Sequence, residues 1–354
     1  MTRSSAPRFL GLTAAERNAR VVRRMPHIAS ALTIPADVII TPGLIAALPP
    51  DGVWHLEWDG GRPPIVWRGA GVFDGADASA PAVLRLPDGA ALDVSTASAR
   101  RRAAWRLLRA SGKPTDGWLS RHVHRKVSRV CSYVLLRLGL TANQATFLTF
   151  LIGVAASWLM AQTTHETMIA GALLFWCASI ADGIDGEMAR LTLTESSYGE
   201  QLDTAVDHAT HLLGYAGVMV GWWRQGIGPA GWALAIGVAM GLPIALLGAM
   251  HLVRRAQGLS GQFFVDTKPI ELGVTAAARA TGAPALRLAS GVFVLFRREA
   301  FSLTFFLVSL VTGQRAIYPP LLAGGLLVVA ATLLVYRAEI ESAIRARAVR
   351  YAPA

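Results

Sequence analysis

Apolar residues are distributed along this chain in two regimes. Up to about residue 95, short apolar runs alternate with turn residues. Ala36-Asp37-Val38-Ile39-Ile40 leads into Thr41-Pro42-Gly43, and Gly52-Val53-Trp54-His55-Leu56-Glu57-Trp58 into Asp59-Gly60-Gly61. Runs of that kind, closed by Gly, Pro and Asp, predict the strands and turns of a small folded domain. From Thr96 to Ala110 the chain changes to Ala, Arg and Leu, which favour helix, and Lys113-Pro114-Thr115-Asp116-Gly117 breaks it. A second helix is expected over Trp118 to Arg137. It sets Trp118, Val123, Val127, Val130 and Val134 near one face and Arg121, Arg125, Lys126 and Arg129 elsewhere, as in a helix lying on a membrane surface. The competing reading is a charged helix packed on the preceding domain.

Beyond residue 137 the pattern becomes continuous. Stretches over 142–162, 166–190, 199–223, 229–253, 299–315 and 317–337 approach the roughly 20 apolar residues that cross a bilayer as a helix. The connections on one side carry only Arg224 and Arg315, whereas those on the other carry Arg190, Arg254, Arg255, Lys268, Arg279, Arg287, Arg297, Arg298 and the tail arginines Arg337, Arg345, Arg347 and Arg350. Basic residues stay on the cytoplasmic side, so the asymmetry predicts six spans with both termini inside. Ala285 to Phe296 is apolar enough to re-enter or lie on the membrane. The expected protein is an α-helical integral membrane protein of six transmembrane helices, preceded by a surface amphipathic helix and a small N-terminal α/β cytoplasmic domain. The boundaries fall at 1–110, 111–137, 138–340 and a basic tail at 341–354.

Composition supports this. A chain of 354 residues with 53% hydrophobic and 16% charged residues is too apolar for an ordinary soluble protein. The N-terminus lacks the apolar run that should follow the basic start of a signal peptide, so the N-terminal part is expected to stay in the cytoplasm. The net charge of +11 does not point to nucleic acid, because it is concentrated between Arg100 and Arg137, just before the first span, with no interleaved stacking aromatics. Cys131 and Cys177 have no paired spacing, so neither a disulfide framework nor a zinc site is expected.

Within this apolar region, carboxylates cluster at the end of the second span and the start of the third. Asp182 and Asp185 are three apart, and Asp203 and Asp207 four apart, so each pair shares a helix face. Antiparallel helices joined by a short loop bring the faces together. Four carboxylates in a low-dielectric site repel one another unless a cation neutralises them or some are protonated, and Mg²⁺ or Mn²⁺ is the natural occupant. A single aspartate near a helix end is more simply a cap, and Gly183, Gly186 and Ala189 could serve helix packing alone. Together with Arg190 they instead leave bare helix surface beside the carboxylates, where a bulky ligand can approach the backbone.

This stretch resembles the signature of the CDP-alcohol phosphotransferase family, D-x2-D-G-x2-A-R-x8-G-x3-D-x3-D. Asp182, Asp185, Gly186, Ala189, Arg190, Gly199, Asp203 and Asp207 fill every fixed position. Leu140-Thr141-Ala142-Asn143-Gln144-Ala145-Thr146 is similar to a second family run, with Ala142 in place of the usual proline. The resemblance implies that Asp182, Asp185 and Asp203 hold the metal at the donor pyrophosphate. Asp207 is implied as the base that deprotonates the acceptor hydroxyl and as a ligand of a second metal. Asp182, Gly186, Ala189, Arg190 and Gly199 are implied to bind the nucleotide. It also implies a CDP-linked donor, an alcohol acceptor, membrane lipid as surroundings and a homodimer. CDP-diacylglycerol is the default donor and a polyol phosphate such as inositol phosphate the default acceptor, with Arg254, Arg255, Arg297 and Arg298 as cations for it. The alternatives are a soluble CDP-alcohol such as CDP-inositol acting on a lipid or inositol-phosphate hydroxyl, a metal-coupled transporter and an inactive scaffold.

Phe9 to Arg20, and the later Lys113 to Arg121, look like parts of a sugar-phosphate nucleotidyltransferase fused to such a membrane domain. No G-x-G-T-R-L-like start is present, so an inactive remnant of that enzyme is expected.

Overall fold

The computed structural model describes residues 8–10, 12–23, 32–49, 53–58, 65–68, 82–112, 116–258, 268–295 and 298–351. The chain divides into two compact units. One comprises the described parts of Met1–Asp116 with Arg129–Ala142 and Gly186–Glu195; the other comprises Gly117–Ser128, Asn143–Asp185 and Ser196–Ala354.

In the first unit, the short strands β1 (Arg8–Phe9) and β2 (Leu12–Thr13) pair and lead into α1 (Ala14–Val22). Thr13 and Glu16 close a reciprocal cap on α1, with the Thr13 amide donating to the Glu16 carboxylate at 2.7 Å. There follow β3 (Leu32–Thr33), β4 (Val38–Ile40), the one-turn helix α2 (Pro42–Ala46), β5 (Val53–Glu57), β6 (Ile65–Arg68), β7 (Ala82–Arg85), β8 (Ala91–Asp93) and helix α3 (Ala97–Ala110). The larger sheet runs β3-β6-β5-β7, antiparallel except for the parallel β5–β7 pair, and β4 pairs antiparallel with β8. Val38, Ile39 and Ile40 are all buried, so β4 is covered on both faces. This unit extends beyond residue 110. Trp105 stacks on Tyr133 at 5.7 Å, and Arg20 donates to the Thr192 carbonyl at 2.7 Å.

Asn18 is the polar link of this unit. From α1 its Nδ2 donates to the Val38 carbonyl at 2.8 Å, while its Oδ1 accepts the Ile40 amide at 2.9 Å. Asn18→Ala leaves both buried backbone groups without that partner, a cost of about 2–4 kcal/mol. Limited proteolysis of the full chain should show earlier cleavage near β4 in the variant. An unchanged pattern would contradict this role. Nearby Arg17 is buried beside the Phe9 ring, and desolvation, with Arg20 adding repulsion, pushes its pKa down to about 10.

In the second unit a π-helical turn (Ser120–His124) leads into α4 (Arg125–Arg137), whose later residues belong to the first unit. The helices α5 (Ala142–Met160), α6 (His165–Thr192), α7 (Ser197–Arg224), α8 (Pro229–Gln257), α9 (Lys268–Thr281), α10 (Pro284–Leu295), α11 (Arg298–Thr312), α12 (Tyr318–Val335) and α13 (Arg337–Tyr351) follow. Helices form over all six stretches expected to span. Among the described residues, four segments are long and apolar enough to cross a membrane: Ala142–Met160, His165–Thr192, Pro229–Gln257 and Arg315–Val335. α7 has the length, at 28 residues, but carries Glu200, Asp203 and Asp207, and α11 is apolar but only 15 residues long.

Small residues set the spacing between α5 and α7. A methyl group at Gly217 would overlap the Ser157 carbonyl, and one at Gly221 the Met160 carbonyl, so the two backbones meet closely there. Met160, Met168, Phe175, Val218, Phe305 and Tyr318 fill the core beside this contact. A separate core joins the end of α8 to α9, α10 and α13 through Val253, Val274, Ala278, Leu286, Ile340 and Ile344. The apolar segment expected at 285–296 is therefore helix α10 up to Leu295, with Leu286 and Ala289 in that core, while Phe296 lies outside the described residues.

Candidate active site

The carboxylates lie on α6 and α7. Both helices are continuous through them, so Asp182 and Asp185 occupy successive turns of α6, and Asp203 and Asp207 successive turns of α7. The Ser196 hydroxyl caps α7 by accepting the Gly199 amide at 3.0 Å. Asp182 and Asp207 face one small cavity, which Phe175, Ser179, Thr210 and His211 also line. Ser179 Oγ and Thr210 Oγ1 are buried and make no hydrogen bond among the described residues, so this cavity holds unmet hydroxyls one turn from each carboxylate.

Asp185 is buried and accepts a hydrogen bond from Thr146 Oγ1 of α5, within the second family-like run. Asp203 is half-buried one turn before Asp207. His211 Nδ1 lies 2.9 Å from the Asp207 carbonyl and 3.4 Å from Asp207 Oδ1. Because a carbonyl can only accept, that nitrogen carries a proton. The Phe175 ring meets His211 edge-on at 5.4 Å and fixes its plane.

Gly186, Ala189 and Arg190 continue α6 for up to two turns beyond Asp182 and Asp185, in the part of the helix that belongs to the first unit. Arg190 folds back along the helix, and a methyl at Gly186 would lie 3.3 Å from its Nη1. A methyl at Gly199 would come no nearer than 3.2 Å to Ser196 Oγ. The proposed acceptor cations are less alike. Arg254 is half-buried and Arg255 exposed at the end of α8. Arg255 belongs to the charge cluster around Glu341, whose carboxyl is held below its ordinary value first by a hydrogen bond from Arg337 and then by the charges of Arg337, Arg255 and Arg345. Arg297 and the side chains of Arg298 and Lys268 lie outside the described residues.

Among the described residues, no group of three or more His, Cys, Asp or Glu is gathered as a ready cluster for a metal ion. The donor chemistry nevertheless fits a hard divalent cation: the groups are carboxylate oxygens, and Asp182 and Asp207 already open on the same cavity. One nearby residue was misread in the sequence. Arg125, placed there on the polar side of a surface helix, is only 6% exposed, and its Nη1 lies 3.4 Å from the Gly183 carbonyl.

Residues 139–312 match the family model for CDP-alcohol phosphatidyltransferase. The chain thus carries a CDP-alcohol phosphatidyltransferase domain, and four of its helices have the length and composition of membrane spans. It is 39% identical over 116 residues to a protein of Thermococcus kodakarensis named bifunctional IPC transferase and DIPP synthase, covering 32% of this chain and 26% of the relative. A protein of the same name from Rubrobacter xylanophilus is 31% identical over 205 residues, 56% of this chain and 45% of the relative. A phosphatidylinositol phosphate synthase of Mycobacteroides abscessus is 31% identical over 110 residues, 30% of this chain and 47% of the relative. The chain thus spans between about a quarter and just under half of the length of these relatives.

Proposed function

We propose that the chain transfers a phosphoalcohol group from a CDP-linked donor to a hydroxyl acceptor and releases CMP, with CDP-diacylglycerol as donor and a polyol phosphate such as inositol phosphate as acceptor. The observation that carries this reading is the complete run of eight signature residues from Asp182 to Asp207, set on two helices whose Asp182 and Asp207 share a cavity. Asp207 takes the acceptor's proton, with the His211 ring beside it, Nδ1 lying 3.4 Å from Asp207 Oδ1. The acceptor oxygen then forms a bond to the phosphorus nearer the alcohol part of the donor, and the bond to CMP breaks. Asp182, Asp185 and Asp203 are the side chains that would hold Mg²⁺ or Mn²⁺, with Asp207 touching a second ion. A bound cation supplies charge neutralisation at the pyrophosphate. Gly186, Ala189 and Gly199 leave room for the nucleotide, and Arg190 offers its guanidinium to it.

In this reading α7 and α11 also cross the membrane, giving six spans with the termini and the site on the cytoplasmic face, and the protein is a homodimer. The basic residues gathered on one side of the spans support that orientation. The N-terminal unit is a relative of a sugar-phosphate nucleotidyltransferase, a reading supported by the run from Phe9 to Arg20. A second reading, with soluble CDP-inositol as donor and a lipid or inositol-phosphate hydroxyl as acceptor, is favoured by the names of the Thermococcus and Rubrobacter relatives. Purified protein in detergent, given Mg²⁺ or Mn²⁺ and either CDP-diacylglycerol or CDP-inositol across a panel of inositol, inositol 1-phosphate, glycerol 3-phosphate and serine, separates the two. CMP release with CDP-diacylglycerol and one acceptor supports the first. Release only with CDP-inositol replaces it with the second, and silence with every pair rejects both.

A further inference from the structure

We infer that Arg125 is a positioning residue of the active site, fixing α6 at the turn that carries Asp182 and Asp185. The inference rests on the phosphotransfer reading above and adds to it a residue outside the signature. Four observations converge on Arg125. It follows directly on the π-helical turn, with its amide donating to the Ser120 carbonyl five residues back, and an insertion of this kind redirects the side chains that follow it. Its side chain is 6% exposed, although a buried guanidinium costs several kcal/mol unless its surroundings compensate it. Its Nη1 donates to the Gly183 carbonyl, one residue after Asp182 and two before Asp185. Finally, Gly183 leaves it the space: a methyl there would lie 3.0 Å from Arg125 Nη1 and 3.9 Å from Ser128 Oγ.

Arg125 and Gly183 therefore act as a pair. The glycine makes room on α6, and the arginine fills that room with a fixed positive charge against the backbone between two carboxylates. This gives Gly183, which the signature leaves open, a use in this chain, since a methyl there would press the Arg125 guanidinium aside. Such an anchor limits how far the Asp182–Asp185 turn can shift, and a displacement of about 1 Å at a reacting site can cost on the order of 100-fold in rate.

The test compares the full-length wild type with Arg125→Ala, Arg125→Lys, Gly183→Ala and the Arg125→Ala/Gly183→Ala double variant, all in detergent. Their kcat and KM for CMP release and their melting temperatures are measured. Arg125→Ala and Gly183→Ala each lower kcat by about 10–100-fold with little change in KM. Arg125→Lys recovers part of the loss. The double variant is no worse than Arg125→Ala alone, because the added methyl enters vacated space. Wild-type kcat in Arg125→Ala overturns the assignment, as does a Gly183→Ala cost that is the same in both backgrounds. A loss that follows only the amount of folded protein also overturns it, marking Arg125 as a packing residue. If the wild type itself releases no CMP from any CDP-linked donor, the reaction falls and this role with it; a working wild type with an indifferent Arg125→Ala removes the role and leaves the reaction standing.

Discussion

Asp207→Asn should cut CMP release by roughly 10²–10⁴-fold, the usual contribution of a general base, while the protein still folds and binds cytidine nucleotide. The substitution keeps the size and most hydrogen-bonding capacity of the side chain but removes its ability to take a proton. It sits in the same cavity as Asp182, so any loss from simple misfolding should also appear in the melting temperature. Single-turnover rates with the wild type's best donor and acceptor check the prediction. Turnover within a few-fold of wild type would move the base to another group, and His211, which lines the same cavity, would be the first to examine.

The second large effect is structural and lies at the opposite end of α5. Arg315 is 1% exposed, and its guanidinium donates to the carbonyls of Met160 at 3.2 Å, Thr163 at 3.4 Å and Thr164 at 3.1 Å. The last carbonyls of a helix have no partners within it, and a cation there also complements the helix dipole. Arg224 adds a bond to Ala161 at 3.1 Å. Arg315→Met removes all three bonds; the Thr163 carbonyl keeps Gln225 Nε2 and the Thr164 carbonyl keeps the Thr167 hydroxyl and the Met168 amide, so the buried Met160 carbonyl loses most, a cost of about 1–3 kcal/mol. It should markedly lower the melting temperature of the solubilised protein, and Arg315→Lys should regain only part, since one ammonium cannot reproduce the fork. A variant that melts with the wild type would show that other groups satisfy this helix end.

These two cases show what the sequence made legible. The carboxylate site could be read because its chemistry is local: four aspartates at helical spacing in an apolar region have few other uses, and the intervening Gly and Arg complete a specific signature. Arg315 could be counted as an outer-side charge, but its three acceptors belong to a chain segment more than 150 residues earlier, and no local pattern reports them. Arg125 was misplaced for a different reason. The sequence pattern marks the valine face of this helix as the packed one, whereas in the structure Val127, Val130 and Val134 are exposed and the stripe of Arg125, Ser128 and Ser132 is buried.

The span count shows a third kind of limit. α7 is less apolar than the four longest apolar segments because it carries Glu200, Asp203 and Asp207 together with His208, His211 and Arg224, whereas α6 keeps a long enough apolar run ahead of Asp182 and Asp185. The close contact of α5 and α7 was not read either. Gly217 and Gly221 are ordinary in sequence and acquire meaning only where they meet the Ser157 and Met160 carbonyls.

The central claim is that Asp182, Asp185, Asp203 and Asp207 form one metal-dependent site that releases CMP. The most direct test strips the purified wild type and Asp182→Asn of divalent ions with EDTA and follows CMP release from the CDP-linked donor as Mn²⁺ or Mg²⁺ is returned stepwise. The account predicts no release from the stripped wild type, recovery as metal is added, and an Asp182→Asn variant that needs far more metal or never recovers. Full release without metal, or the same metal requirement in both proteins, would contradict it.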